Sequence, residues 1–250
     1  KERTSLERFL CQRLFVERDA EPVSIVADLD PSEQHRCRDW HVMDRSTLPS
    51  AGADALHRVV MKATRRHVRS SKDGRLIPCF FSLREKRNLA LKALRKEIRF
   101  LQLIGIGDAI GMMFVVDRAD LDDLVCEARR VIVACPGQVS DQGSSVGFRL
   151  GTQKLDPRNS HSSEFYEAMK YSALVGDRII EVQFVPTMPW IDSHCMHSRV
   201  NHGWYKLEQM LQAVFPVLFP ERLTGIPWMH ADLRQACIEH VLACSQKGML

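Results

Sequence analysis

Two carboxylates in this 250-residue chain lie where metal ligands are common. Asp108 lies between a glycine turn and an apolar strand, and Glu181 lies inside a second apolar strand sequence. Carboxylate oxygens are the ligands that magnesium prefers, and magnesium held beside cations binds the phosphates of a nucleoside triphosphate. The pair therefore predicts a magnesium site for phosphate chemistry. A glutamate on the solvent-exposed face of its strand is the alternative interpretation.

Cations are concentrated in the segment before Asp108. The stretch 58–99 holds fourteen Lys and Arg residues against three carboxylates, a local net charge of +11 in a chain whose formal net charge is +4. A segment of this kind favours a polyanionic partner, such as a nucleic acid or a polyphosphate. The same pattern is also typical of a solvated helix face.

Apolar periodicity predicts the elements that position these residues. Helical spacing predicts helices over 6–15, 53–68, 85–103, 121–131, 204–214 and 231–244. Short apolar runs predict strands over 23–27, 76–83, 112–117 and 131–134, and a turn over 72–75. The runs 168–175 and 178–185 flank Gly176-Asp177, which predicts a hairpin whose second strand alternates, with Glu181 and Gln183 on one face. The stretch 135–163, rich in Gly and Ser, predicts an irregular loop.

Composition indicates a globular protein, because 45% of the residues are hydrophobic and 26% are charged. No stretch approaches the roughly 20 apolar residues that a membrane span needs, so we expect no membrane partner. The eight cysteines are scattered without a CxxC pair, which favours a reducing, cytoplasmic compartment. The chain begins at Lys1 without an initiator Met, so we expect a piece of a longer protein.

Four landmarks, in this order along residues 84–206, resemble the RelA/SpoT-type alarmone synthetases. The first two are Arg84-Glu85-Lys86, similar to the family's Arg-x-Lys, and the segment 106–116 followed by 120–124, similar to its Asp-x-x-Gly strand and helix. The other two are Glu181-Val182-Gln183-Phe184, similar to its Glu-Ile-Gln-Ile, and Trp204-Tyr205-Lys206, similar to its Tyr-Lys. Tyr166 lies fifteen residues before Glu181, at the spacing of the family's base-stacking tyrosine.

The resemblance implies an ATP-dependent pyrophosphokinase. Such an enzyme transfers pyrophosphate from ATP to the 3′-hydroxyl of a guanine or adenine nucleotide or, in some toxin relatives, of an RNA such as tRNA. The implied fold class is α/β, a nucleotidyltransferase-like mixed β-sheet of about five strands flanked by helices. A single domain would span 1–250, with its core over about 54–206 and a helical extension over 207–250.

The resemblance also implies a role for each matching residue. Asp108 and Glu181 would be catalytic and would hold Mg²⁺, with Glu181 also acting as general base. The ATP phosphates would be bound by Arg84, Lys86, Lys92 and Arg95, and the acceptor by Tyr166, Lys154 and Arg158.

Several positions depart from the family pattern, including Phe165 in place of a glycine and Asn201 or Ser198 in place of a glutamate. Met113 and Val185 stand where the family has arginines, and Lys170 stands where a histidine often follows the tyrosine. The alternative function is therefore a catalytically inactive relative that binds nucleotide or RNA through the basic stretch 58–99.

Other residues suggest different chemistry. Asp28 and Asp30 follow a strand, as in a phosphatase with an aspartyl nucleophile or a nucleotidyltransferase, although Pro31 equally suggests a turn into a helix. The histidines and cysteine at 194, 195, 197 and 202 are possible zinc ligands, but no second cysteine pair supports a structural zinc site. Cys135 is a nucleophile only if a histidine lies near it, and a buried inert thiol is the alternative.

Overall fold

The computed structural model describes residues 2–16, 23–30, 36–43, 58–61, 65–85, 110–134, 137–141, 167–175, 178–194 and 202–246. Nine strands in these residues form two sheets. The strands are β1 (Ser24–Asp30), β2 (Arg36–Met43), β3 (Arg58–Met61), β4 (Arg65–Ser70), β5 (Leu76–Glu85), β6 (Ile110–Val116), β7 (Gly137–Asp141), β8 (Met169–Val175) and β9 (Arg178–Pro186).

Seven α-helices accompany the strands in the part of the chain that the structure describes. They are α1 (Glu2–Leu14), α2 (Leu121–Ala134), α3 (Thr187–Asp192), α4 (His202–Gln209), α5 (Phe215–Leu218), α6 (Glu221–Thr224) and α7 (Ala231–Gln246). A short 3-10 helix, Arg118–Asp120, precedes α2, and a π-helical segment, Met210–Val214, continues α4. Among the described helices, none is long and apolar enough to cross a membrane.

The main sheet has six strands in the order β4-β5-β6-β9-β8-β7. The central pair β6 and β9 is parallel, and every other neighbouring pair is antiparallel. The sequence-based expectation of an α/β protein with a mixed sheet flanked by helices is confirmed. The sheet has six strands where about five were expected, and two of the six were not predicted: β4 lies in the predicted helix 53–68 and β7 in the predicted loop 135–163.

One face of the main sheet carries the larger hydrophobic core. Alternate residues of β6 and β9 point into it, including Met112, Phe114, Val182 and Phe184, all nearly inaccessible to solvent. The rings of Phe114 and Phe184 stack with centroids 5.0 Å apart, which joins the two central strands across their parallel boundary. Helices α1 and α2 cover this face with their apolar stripes. The alternation predicted for the strand around Glu181 is therefore confirmed.

The small sheet has the order β2-β1-β3 and is antiparallel throughout. It packs with α3 against one end of the other face of the main sheet and forms a second core with Phe80, Val115 and Val185. A buried carboxylate joins its edge strand to α3, because Asp192 Oδ1 accepts a hydrogen bond from the backbone N–H of Cys37 at 2.6 Å. This contact satisfies a backbone donor that burial removes from water.

The helix predicted over 53–68 is wrong. Strands β3 and β4 occupy 58–61 and 65–70, and residues 53–57 and 62–64 lie outside the described residues. The physical reason is visible in β4, where His67 and Arg69 are buried while Arg66 and Ser70 are exposed. That alternation has period two, the period of a strand, although the charged residues also fit a helical wheel.

Of the remaining predictions of helices, strands and turns, most are confirmed, one is wrong and one lies largely outside the described residues. The helices over 6–15, 121–131, 204–214 and 231–244, the strands over 23–27, 76–83 and 112–117, the turn over 72–75 and the hairpin of β8 and β9 are confirmed. The short strand over 131–134 is wrong, because these residues form the last turn of α2. The long helix predicted over 85–103 falls, after Glu85, outside the described residues.

Candidate active site

Two rows of mainly polar residues cross the face of the main sheet opposite the larger core. Strand register defines the first polar row as Arg84, Gly111, Glu181 and Ser172, and the second polar row as Ser82, Met113, Gln183 and Lys170. Register partners in neighbouring strands share a face of the sheet. We call the surface formed by the two rows the polar face.

Glu181 lies near the centre of the polar face. Its strand neighbours are Gly111 on β6 and Ser172 on β8, and its side chain is half-buried. Glycine has no side chain, so the β6 flank of Glu181 is not filled by its neighbour. On the further side of Gly111, Arg84 occupies the next position of the first polar row.

The interval between these positions suits a phosphate or a hydrated cation. Adjacent strands lie about 4.8 Å apart, so the Cα atoms of Arg84 and Glu181 are separated by roughly 10 Å across a residue with no side chain. An arginine position on β5 and a glutamate position on β9 lie at the two ends of this interval. The arrangement supports binding of a metal–phosphate group, which carries both charges.

A row of buried apolar residues borders the second polar row. Phe80, Val115 and Val185 follow the second polar row along β5, β6 and β9, and all three are buried beneath the small sheet and α3. The rings of Phe80 and Trp190 stack with centroids 5.6 Å apart at this boundary. The same sheet face is thus a packed core at one end and a half-buried polar surface at the other.

The structure brings together two of the predicted site residues. Arg84 and Glu181 occupy one row of the main sheet, on the two strands that flank β6. Asp108 precedes β6 by two residues and lies outside the described residues. The same holds for the remaining members of the predicted site, namely Lys86, Lys92, Arg95, Tyr166, Lys154 and Arg158.

The two positions that lack the family's arginines have different surroundings. Val185 is completely buried in the second core, so a charged residue there would need to leave this contact. Met113 lies in the second polar row beside Gln183 and is half-buried. Position 113 therefore borders the polar face, whereas position 185 belongs to the packing that supports it.

Lys170 and Ser172 are polar-face residues to which the sequence analysis assigned no role. Lys170 is the strand partner of Gln183, and Ser172 is the strand partner of Glu181. The sequence alone allowed this placement to be deduced. A two-residue turn predicted at Gly176-Asp177 pairs residue 175 with residue 178, as observed, and this pair fixes every later pair of the hairpin. Register counting from that turn places both residues on the face of Glu181.

Part of the basic stretch is used inside the protein. Arg69 is buried, with 1% of its side chain exposed, and it donates hydrogen bonds to Asp123 and Glu127 of α2 at 2.7 Å each. Lys72 and Arg75, in the turn between β4 and β5, pair with Asp123 at 3.4 Å and with Asp120 at 2.8 Å. These three cations tie the β4–β5 hairpin to α2 and to the 3-10 helix before it, and Arg69 among them is enclosed in the protein.

These ion pairs affect the titration of Asp123. Burial alone would raise the pKa of this carboxyl, but the hydrogen bond and charge of Arg69, with help from Lys72, outweigh burial. The pKa of Asp123 is therefore held below its usual value.

The alternative carboxylates Asp28 and Asp30 lie on the small sheet. The strand partners of Asp28 are Asp39 on β2 and Arg58 on β3, so its row places two carboxylates beside one cation position. Neither aspartate belongs to the main sheet that carries Glu181. The described residues contain no cluster of three or more metal-ligating side chains.

The suggested zinc ligands are placed only in part. His194 Nδ1 lies 2.8 Å from the carbonyl oxygen of Trp190, and the Ser193 hydroxyl donates to the same oxygen at 2.6 Å. Both side chains therefore close the C-terminal end of α3. Cys195 and His197 lie outside the described residues, as does the candidate nucleophile Cys135.

Comparisons with known proteins identified no protein similar to this chain. Protein-family models, curated proteins and solved structures were each searched, and none matches this chain. The likeness to the alarmone synthetases stands on the motif residues alone and remains a prediction.

Proposed function

We propose that this protein transfers pyrophosphate from ATP to the 3′-hydroxyl of a guanine or adenine nucleotide or of an RNA 3′ end. The proposal rests on the first polar row. In this row Arg84 on β5 and Glu181 on β9 are the strand partners of Gly111 on β6, one on each side of it. We further propose that the main sheet is a divergent nucleotidyltransferase-like sheet, with the polar face as its active site.

The residues of the polar face fit a magnesium–nucleotide complex. Glu181 offers hard carboxylate oxygens, and Ser172 and Gln183 offer neutral hydrogen-bonding groups beside it. In this proposal Asp108 and Glu181 hold Mg²⁺, which supplies charge neutralisation for the transferred group. Ser172 and Gln183 support the orientation of Glu181 from the neighbouring positions.

The proposed chemistry depends on position and charge. Two polyphosphates repel each other, so an enzyme that joins them gains most by holding both and by neutralising their charge. Arg84, with Lys86, Lys92 and Arg95, binds the phosphates of ATP. Glu181 accepts the proton of the acceptor 3′-hydroxyl. The hydroxyl oxygen attacks the β-phosphorus of ATP, the bond from that phosphorus to the bridging oxygen breaks, and AMP leaves.

A transfer assay tests the proposal. The protein is incubated with γ-labelled ATP, Mg²⁺ and, in turn, GDP, GTP, AMP, ADP and tRNA, and products are separated by charge. Transfer of the label to one acceptor, with release of AMP, supports the proposal. Nucleotide binding without transfer to any acceptor would instead support the non-catalytic relative.

Variants identify the carboxylates that act. We expect Asp108→Ala and Glu181→Gln to abolish transfer and Asp28→Ala to leave it unchanged. Glu208→Gln removes an exposed carboxylate of α4 and is the matched charge control for Glu181→Gln. Loss of activity in Asp28→Ala with full activity in Glu181→Gln would move the site to the small sheet.

A further inference from the structure

Lys170 is a half-buried lysine on an inner strand of the main sheet. Lysine is rarely placed in such a position without acceptors or an anion to offset the cost of partial desolvation. Its strand partner is Gln183, and the diagonal position on β9 is Glu181. Long side chains at diagonal positions of an antiparallel pair are within reach of each other.

The strand order places Lys170 on the opposite side of Glu181 from Arg84. Reading across the sheet, Arg84 is on β5, Gly111 on β6, Glu181 on β9 and Lys170 on β8. The carboxylate therefore lies between two cation positions. A reaction that brings together two phosphate-bearing molecules at one carboxylate is favoured by a cation on each side.

Lys170 has no equivalent elsewhere on the central strands. In the described strands β6, β8 and β9 it is the single cationic residue on the polar face, since position 113 holds methionine and position 185 is buried valine. Lysine provides a compact positive charge on a flexible stem, a combination suited to phosphate. The other lysine in the described sheet hairpins, Lys72, lies in a turn and pairs with α2.

We propose that Lys170 binds phosphate groups of the acceptor, on the side of Glu181 away from the ATP phosphates. The assignment of the ligand as an acceptor rests on the proposed function, whereas the phosphate site itself rests on the strand register. The acceptor is then a molecule that carries phosphate close to its reacting hydroxyl.

The experiment measures binding of inorganic pyrophosphate to the full chain by calorimetry, with Mg²⁺ present. Pyrophosphate carries the phosphates without a base, so its affinity reports on the contacts to phosphate and Mg²⁺ and not on recognition of a base. We expect Lys170→Met to weaken binding at least about tenfold, as for a lost hydrogen bond to a charged group. Lys170→Arg should bind within about threefold of wild type, because the charge is kept.

Lys72→Met is the matched control, because it removes the same charge from a side chain that is 80% exposed in the β4–β5 turn. Its affinity for pyrophosphate should equal that of wild type. Equal binding by wild type and Lys170→Met, or no binding by wild type, would overturn the proposal. Loss of binding in Lys170→Met but retention in Lys170→Arg supports the proposal when circular dichroism shows that both variants are folded at the assay temperature.

The two proposals fail in different ways. If wild type binds pyrophosphate through Lys170 but transfers no label from ATP, the phosphate site stands and the pyrophosphokinase proposal is wrong. If wild type transfers the label and Lys170→Met does so with an unchanged KM for the acceptor, the pyrophosphokinase proposal stands and the role of Lys170 is wrong.

Discussion

Glu181 lies directly beside Gly111 in the parallel pair of β6 and β9 at the centre of the main sheet. Glycine is a poor strand residue, because it packs no side chain and loses more backbone entropy on folding than other residues. Its neighbours in β6 are Ile110, Met112 and Phe114, which belong to the buried core. Gly111 is thus the exception in an otherwise apolar strand, and its register places it between Arg84 and Glu181.

Gly111→Val tests whether that interval is used. Valine suits a half-buried strand position, so we expect the melting temperature to stay equal or rise. Its branched side chain would lie between Arg84 and Glu181, so transfer activity should fall at least 100-fold. The control Ser70→Val adds the same side chain at an exposed position of β4 and should leave activity unchanged. Full activity in a folded Gly111→Val protein would show that the interval holds no reacting group.

Arg69→Met is expected to destabilise the protein by about 3 kcal/mol, as breaking a buried ion pair commonly does. Arg69 is buried between Asp123 and Glu127, and its removal leaves two carboxylates without their shared cation. Urea denaturation measures the change. The triple variant Arg69→Met/Asp123→Asn/Glu127→Gln should recover part of the loss, because no uncompensated charge remains. A triple variant no more stable than Arg69→Met would contradict the electrostatic cause.

The stability of the protein should depend on pH through Asp123. Its pKa is lower in the folded protein than in the unfolded chain, so the unfolded chain binds the proton first as the pH falls. The stabilisation is therefore present above about pH 4, the ordinary value for aspartate, and is lost below it. Urea midpoints at pH 6 and pH 3 measure the loss. Asp123→Asn should lose less stability over this range than wild type, and an identical loss would exclude the contribution of Asp123.

The hairpin of β8 and β9 was predictable because its determinants are local. Gly176-Asp177 joins the two strands, and the alternation around Glu181 sets which residues are buried. Local pattern also predicted α2, whose buried residues recur at helical spacing. The position of Glu181 on a polar sheet face therefore follows from residues within about ten positions of it.

The row of Arg84, Gly111 and Glu181 was not predictable from local pattern. It joins three strands that are far apart in the chain, and the parallel register of β6 and β9 depends on long-range packing such as the stacking of Phe114 on Phe184. The strand β4 was missed for a related reason. Arg69 belongs to the core face only because α2 supplies its two carboxylates, and a charged residue in sequence looks like a surface residue.

Two cysteines of the described residues should be chemically inert in the folded protein. Burial raises the pKa of Cys79 to about 12, and burial together with the carboxylates of Asp192, Asp39 and Asp28 raises the pKa of Cys37 to about 12. The thiolate is the reactive form of cysteine, so neither residue is a nucleophile at neutral pH.

Brief alkylation with iodoacetamide at pH 8, followed by peptide mass spectrometry, tests this prediction. Cys126, which is exposed on α2, should be labelled, while Cys37 and Cys79 should stay unlabelled until urea unfolds the chain. Cys126→Ser should remove that label without altering the protection of the other two. Rapid labelling of Cys37 in the native protein would mean that the small sheet opens readily, since the Asp192 contact to the Cys37 backbone holds this strand against α3. In that event Cys79, in the centre of β5, should still be protected, because the main sheet encloses it on both sides.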